Sequence, residues 1–214
     1  MRAIELIALL AATLASLPVR AQPASPADPP VNLATNRPAY LTQIRHVGGP
    51  GLLPANLAYV TFGTNKFGFV MPDGFRLEAE DRQKVTLVSA DLNCLLTFRM
   101  LESEPVGGIE PDAAYYRDLL LSRRPGGKIT DELSLAAVSR RGPAFDLRWN
   151  AAGTVPRLER VLFISCDAGV LEFSLLSSLE KFGAGRQAFS AFLITFRTVE
   201  PDGRLNMPVL SDRL

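Results

Sequence analysis

The stretch Gly169-Val170-Leu171-Glu172-Phe173-Ser174-Leu175-Leu176, followed by the run from Ala184 to Arg197, constrains this chain most. The first piece alternates as a strand does, with side chains sent to opposite faces at a period of two. In the second, Phe189, Phe192, Leu193 and Phe196 recur at i, i+3, i+4 and i+7, one face of a helix, and Phe182 extends the stripe. A helix carrying that much aromatic surface must bury it against another element, and a preceding strand points to a sheet.

The upstream sequence supplies strands for that sheet. Tyr59 to Thr64 and Phe67 to Met71 alternate, and Pro72-Asp73-Gly74 between strands is a turn in which Pro presets φ and Gly accepts a positive one. Phe75 to Ala79 reads as a short strand. Arg82–Ala90 and Asn93–Leu101 read as a pair across Asp91-Leu92, with Leu92, Cys94, Leu96, Phe98 and Met100 on one face. Pro111 and Asp112 open a helix with Tyr115, Tyr116, Leu119 and Leu120 on one stripe, and Pro125-Gly126-Gly127 ends it. Strands are predicted over Ile129–Ser139 and Ala144–Asn150, the latter with Phe145, Leu147 and Trp149 on one side. Leu158–Cys166 and Val170–Leu176 form a hairpin around Asp167-Ala168-Gly169. Strands, helix, antiparallel strands, helix is an α+β order, with helices covering an antiparallel sheet.

Residues 57–200 therefore form one expected domain. Ahead of it, Ile4 to Leu17 is an apolar run of about 14 residues, shorter than the ~20 a spanning helix needs. Arg2 precedes the run, and Val19-Arg20-Ala21 has the small residues that a signal peptidase reads. Residues 1–21 read as a signal peptide cleaved after Ala21, which places the mature chain in the periplasm or outside the cell with no transmembrane segment. Cleavage removes Arg2, Arg20 and Glu5 and leaves no net charge, so no overall field steers the chain toward nucleic acid. Residues 22–56, with Pro23, Pro26, Pro29, Pro30, Pro38 and the run Gly48-Gly49-Pro50-Gly51, read as a linker or arm. Residues 201–214 read as a tail.

This order is similar to the PsbP-like α/β/α sandwich, the superfamily that also holds Mog-type and DcrB-type proteins. The resemblance is carried by Lys66-Phe67-Gly68-Phe69-Val70-Met71-Pro72-Asp73-Gly74-Phe75 at the start. At the end it is carried by Phe173 to Ser178 with Phe189 to Phe196. It spans about residues 57–200 and implies a fold and a habit: many such proteins are exported bacterial proteins that bind partners, and few are enzymes. It implies no functional residue.

The chemistry-bearing residues point to few reactions. Gly183-Ala184-Gly185-Arg186-Gln187-Ala188 fits G-x-G-x-x-A, but a dinucleotide fingerprint needs a further parallel strand after its helix. A glycine-bearing helix start is the plainer reading. His46, the single histidine, builds no histidine zinc site and reads as a loop residue. Glu78, Glu80, Asp81, Glu102 and Glu104 read as strand-end charges. No cofactor is expected. Two features remain candidates. Arg123, Arg124, Lys128, Arg140 and Arg141 flank two turns and form an anion-binding patch if those ends converge. Cys94 and Cys166, each on an inward parity, form a disulfide if their strands bring them together in an oxidising compartment. The functional readings are three. The first is an exported, non-catalytic protein binding another envelope protein or a ligand. The second is an enzyme or metal protein with a carboxylate/arginine site. The third is a lipid- or wall-associated protein tethered by its arm.

Overall fold

Leu171, Phe173 and Leu175 are wholly buried beneath Phe182, Phe189, Phe192, Leu193 and Phe196, so the strand and helix that dominate the sequence meet in the core. The computed structural model describes residues 39–49, 52–78, 84–101, 112–150, 155–166 and 169–200. Their fold is α+β, with two antiparallel sheets and two helices. In chain order the elements are β1 (Ala39–Gly49), β2 (Leu52–Phe62), β3 (Asn65–Val70), β4 (Phe75–Glu78), β5 (Val85–Ser89), β6 (Cys94–Leu101) and α1 (Ala113–Arg123). They continue with β7 (Lys128–Ala137), β8 (Arg140–Asn150), β9 (Pro156–Cys166), β10 (Gly169–Ser178), α2 (Phe182–Thr195) and β11 (Arg197–Thr198).

The larger sheet runs β4-β5-β6-β10-β9-β8-β7 and the smaller β1-β2-β3-β11. Leu171, Phe173 and Leu175 share a face of the large sheet with Leu96, Phe98, Leu162, Ile164 and Ala144. Against that face lie α2 and the inner residues of the small sheet, including Phe62, Phe67 and Phe69. Phe69 stacks on Phe196 at 5.8 Å and meets Phe192 edge-on at 5.0 Å. The opposite face carries a second cluster: Tyr116 and Leu120 of α1 with Phe145, Leu147, Val161, Phe163 and Val170. Tyr116 stacks on Phe163 at 4.2 Å.

Local chemistry accounts for the element ends. Asp112 caps α1, its Oδ1 accepting from the Tyr115 amide at 2.9 Å. Gly74 and Gly126 adopt φ of 74° and 77° in the turns expected of them. Tyr115, placed on the apolar stripe by spacing, is exposed, and Tyr116 and Leu120 do the packing.

Three expectations change. The arm read over 22–56 contains strand: Ala39–Gly49 pairs with Leu52–Phe62, setting His46 opposite Asn56. The strand predicted to run through Ser139 ends at Ala137, and the next begins at Arg140 instead of Ala144. The turn falls at Val138 and Ser139, with φ of 52° and 60°; side chains other than Gly, Asn and Asp seldom adopt this conformation, so the sequence hides it. The strands over 59–71 belong to a separate sheet, β1-β2-β3-β11, and not to the sheet that carries β10. The signal peptide, residues 22–38, the tail, Glu80, Asp81, Glu102, Glu104, Pro111, Asp167 and Ala168 lie outside the described residues.

Candidate functional site

The arginines at the end of α1 are already occupied. Arg123 Nη1 donates to Glu172 Oε2 at 2.7 Å, and Arg99 Nη2 from β6 donates to both oxygens of the same carboxylate at 2.9 and 3.0 Å. Arg124 grips Glu159 in a two-pronged pair at 2.9 and 3.0 Å and lies 4.9 Å over the Trp149 ring. These pairs tie the C-terminal end of α1 to β6, β9 and β10, beside the second cluster. Trp149 itself packs against that cluster, half-buried. Lys128 starts β7 near them. Arg140 and Arg141 sit at the other end of the β7–β8 pair, opposite Ala137 and Ala136, and Arg140 Nη1 donates to the Ser165 carbonyl at 3.1 Å. The five basic residues therefore do not converge on one patch. The reason is the length of β7, whose ten residues separate the two turns.

No disulfide joins Cys94 and Cys166. Both strands pair with β10, but Cys94 is opposite Ser177 and Cys166 opposite Gly169, at its two ends. The shared parity holds, since both sulfurs belong to the α2-side face; the position along the strand defeats the bridge. The glycine motif also has a packing explanation. A Cβ on Gly185 would stand 3.0 Å from Leu175 Cδ1 and 3.3 Å from Cys94 Sγ, so the glycine lets α2 settle on the sheet. Glu78 is half-buried, 3.9 Å from Arg76. Among the described residues no cluster of three or more His, Cys, Asp or Glu is placed to hold a metal, and no helix is long and apolar enough to cross a membrane.

A different constellation appears on the α2 side of the large sheet. Asp146 and Arg160 face each other across β8 and β9. Arg160 Nε donates to Oδ1 at 2.6 Å and Nη2 to Oδ2 at 2.7 Å, with both side chains about nine-tenths buried. The third guanidinium nitrogen, Nη1, has no partner among the described residues. Arg160 lies 5.9 Å from the Phe182 ring centroid and Arg186 of α2 lies 5.5 Å from it, so two cations flank one ring. Together with Gln187, Ser190, Ala191 and Ile194 they line a shallow open groove of about 570 Å³ along the outer side of α2. Ala191 also borders a smaller hollow of about 170 Å³, formed with Val70, Met71, Pro72, Asp73 and Thr195, so the two depressions adjoin. The sequence holds one signal for this site: Glu159-Arg160 stands directly ahead of the apolar run Val161-Leu162-Phe163-Ile164. Its partner is visible only once the register is known.

No family model and no curated protein matches the chain. Solved structures resemble it at low identity. Cyanobacterial PsbP (CyanoP) of Synechocystis sp. PCC 6803 is 10% identical over 71% of this chain and 98% of its own, with a TM-score of 0.48. LpqN of Mycobacterium tuberculosis, described as involved in cell envelope biogenesis, is 12% identical over 74% and 90%, with a TM-score of 0.40. A Pseudomonas aeruginosa protein of unknown function, described as a putative regulator, is 18% identical over 58% and 89%, with a TM-score of 0.39. The resemblance to the PsbP-like fold is thus one of fold only.

Proposed function

We propose that this chain is an exported envelope protein that acts by binding, with helix layers on the two faces of its large sheet and the groove along α2 as its contact surface. The observation that carries the reading is the groove itself: a concave surface where buried Arg160, Arg186, Gln187 and Ser190 converge beside exposed apolar Ile194. A few directed polar groups set in an otherwise apolar depression are the usual make-up of a binding site. Export is supported by the Ile4–Leu17 run and the Val19-Arg20-Ala21 sequence. The buried carboxylates argue against acid–base chemistry at these positions, because Glu172, Glu159 and Asp146 are each taken up by guanidinium donors. The test is a photo-crosslinking amino acid at Ala191 in the native host, with Asp118 on α1 as the control. A specific adduct from Ala191 in the envelope fraction, on a chain beginning at Gln22, supports the reading. Equal labelling from both positions, or a chain that retains Met1, overturns it.

A further inference from the structure

We propose that the α2 groove binds an amphiphilic anion, with a carboxylate or phosphate group at the Arg160–Arg186 end and a slender apolar chain running toward Met71 and Pro72. This deepens the binding reading and rests on it.

Arg160 anchors the charged end of the groove. Asp146 holds its guanidinium on two sides and prevents it from swinging, which leaves Nη1 as a positioned donor. A buried, pre-oriented arginine gives up little freedom when it meets an oxyanion, and its planar fork suits carboxylate and phosphate alike. The Asp146–Arg160 pair is neutral as a unit. Arg186, exposed and on the same aromatic ring, supplies the uncompensated positive charge. Gln187, next to Arg186, and Ser190, one helical turn further along, add side-chain donors.

The shape of the groove selects the rest of the ligand. From Arg186 to Ile194 the helix advances about 12 Å. Along that length the groove wall is Ser190, Ala191 and Ile194, with Ile194 67% exposed. Small side chains at 190 and 191 leave room for a chain to lie flat on the helix. Beyond Ala191 the floor continues into Met71 and Pro72. Asp73 stands at that far end, where it repels an anion and so fixes the polarity of the ligand. The proposal predicts one orientation: charge at the Arg186 end, apolar chain at the Met71 end.

The experiment uses the mature chain, titrated by calorimetry and by amide chemical shifts. The probes are decanoate, decyl phosphate, inorganic phosphate and decyltrimethylammonium, all below their micelle concentrations, with flotation on phosphatidylglycerol vesicles as a separate arm. Decanoate and decyl phosphate are expected to bind and to shift residues 186–195 and 70–73. Inorganic phosphate is expected to bind at least tenfold more weakly, and the cationic amphiphile not to bind at the groove. Arg186→Glu, on the exposed side of the helix, is expected to weaken both anionic amphiphiles at least tenfold with the thermal midpoint unchanged. Ala191→Trp is expected to block the chain and spare the weak phosphate site. Binding of the soluble probes without flotation assigns the groove to a free amphiphile; flotation abolished by Arg186→Glu assigns it to a lipid headgroup. Equal binding of the cationic probe, indifference to both variants, or no binding of any anionic amphiphile overturns the proposal. A crosslinked protein partner at Ala191 in that last case would leave the broader binding reading standing.

Discussion

Two residues show how single positions are committed in this fold. Gly142 stands in β8 where the strand passes the edge of β9, and a Cβ there would fall inside the Phe163 carbonyl oxygen. Backbone cannot yield as a flexible side chain does, so Gly142→Ala is expected to cost about 1–3 kcal/mol or more, the range for overpacking a filled site; chemical denaturation measures it. Asp91 closes the β5–β6 turn. Hydrogen bonds from Ser89 Oγ, at 2.7 Å, and from Asn93 hold its carboxyl well below the usual range. A depressed carboxylate contributes stability that is present above the ordinary aspartate value of 3.8 and is lost as pH falls through the lower folded value. Asp91→Ala is therefore expected to lower the thermal midpoint at pH 7, with the gap from the parent closing as pH drops from about 4 toward 2. A gap independent of pH would mean that the turn gains nothing from the charge.

At the scale of elements, α2 and α1 are held by different means. Phe192 is wholly buried and meets Phe69, Phe98, Phe173 and Phe196 with ring centroids between 5.0 and 6.0 Å. Phe192→Ala is expected to cost roughly 3–5 kcal/mol in urea unfolding, as for a large buried aromatic. A loss below about 1 kcal/mol would contradict this packing. By contrast, α1 is pinned at its end by charge. Glu172 is nearly buried and accepts from Arg99 and Arg123, whose side chains remain about one-third exposed. Glu172→Gln leaves two cations short of a partner, and breaking a fully buried pair costs about 3–5 kcal/mol. Because both guanidiniums reach solvent here, a loss of about 1–3 kcal/mol is expected, with hydrogen exchange rising first at the C-terminal end of α1. The contrast also explains what the sequence could show. The α2 stripe and the β9–β10 hairpin are local, and their periodicity is readable without knowing the fold. The β1–β2 hairpin is built from Gly- and Pro-rich sequence and reads as a linker, and the Val138-Ser139 turn lacks turn chemistry while Gly142-Pro143 close by has it. The α2 groove was illegible for another reason: it needs Asp146 and Arg160 aligned across two strands and set beside the outward side of a helix.

For the molecule as a whole, topology decides what parity cannot. Chain order puts β6 and β9 on either side of β10, about 9–10 Å apart and so already beyond the reach of a disulfide, although the two cysteines share a face. Register then separates them further. Cys94 stands opposite Ser177 and Cys166 opposite Gly169, so the offset along β10 alone is about 26 Å at the usual rise of a strand. A disulfide tolerates Cα atoms about 7 Å apart at most. No side-chain rotation closes such a gap, and sliding β9 to close it would break every pair from Cys166–Gly169 to Arg157–Ser178. The folded chain is therefore expected to hold two thiols even in an oxidising compartment. Protein purified without reductant, unfolded and treated with an alkylating reagent, is expected to gain two alkyl groups by mass spectrometry, and reductant is expected to leave its thermal midpoint unchanged. Monomeric protein that gains none until reduced would mean that the placement of β6 and β9 on either side of β10 is wrong.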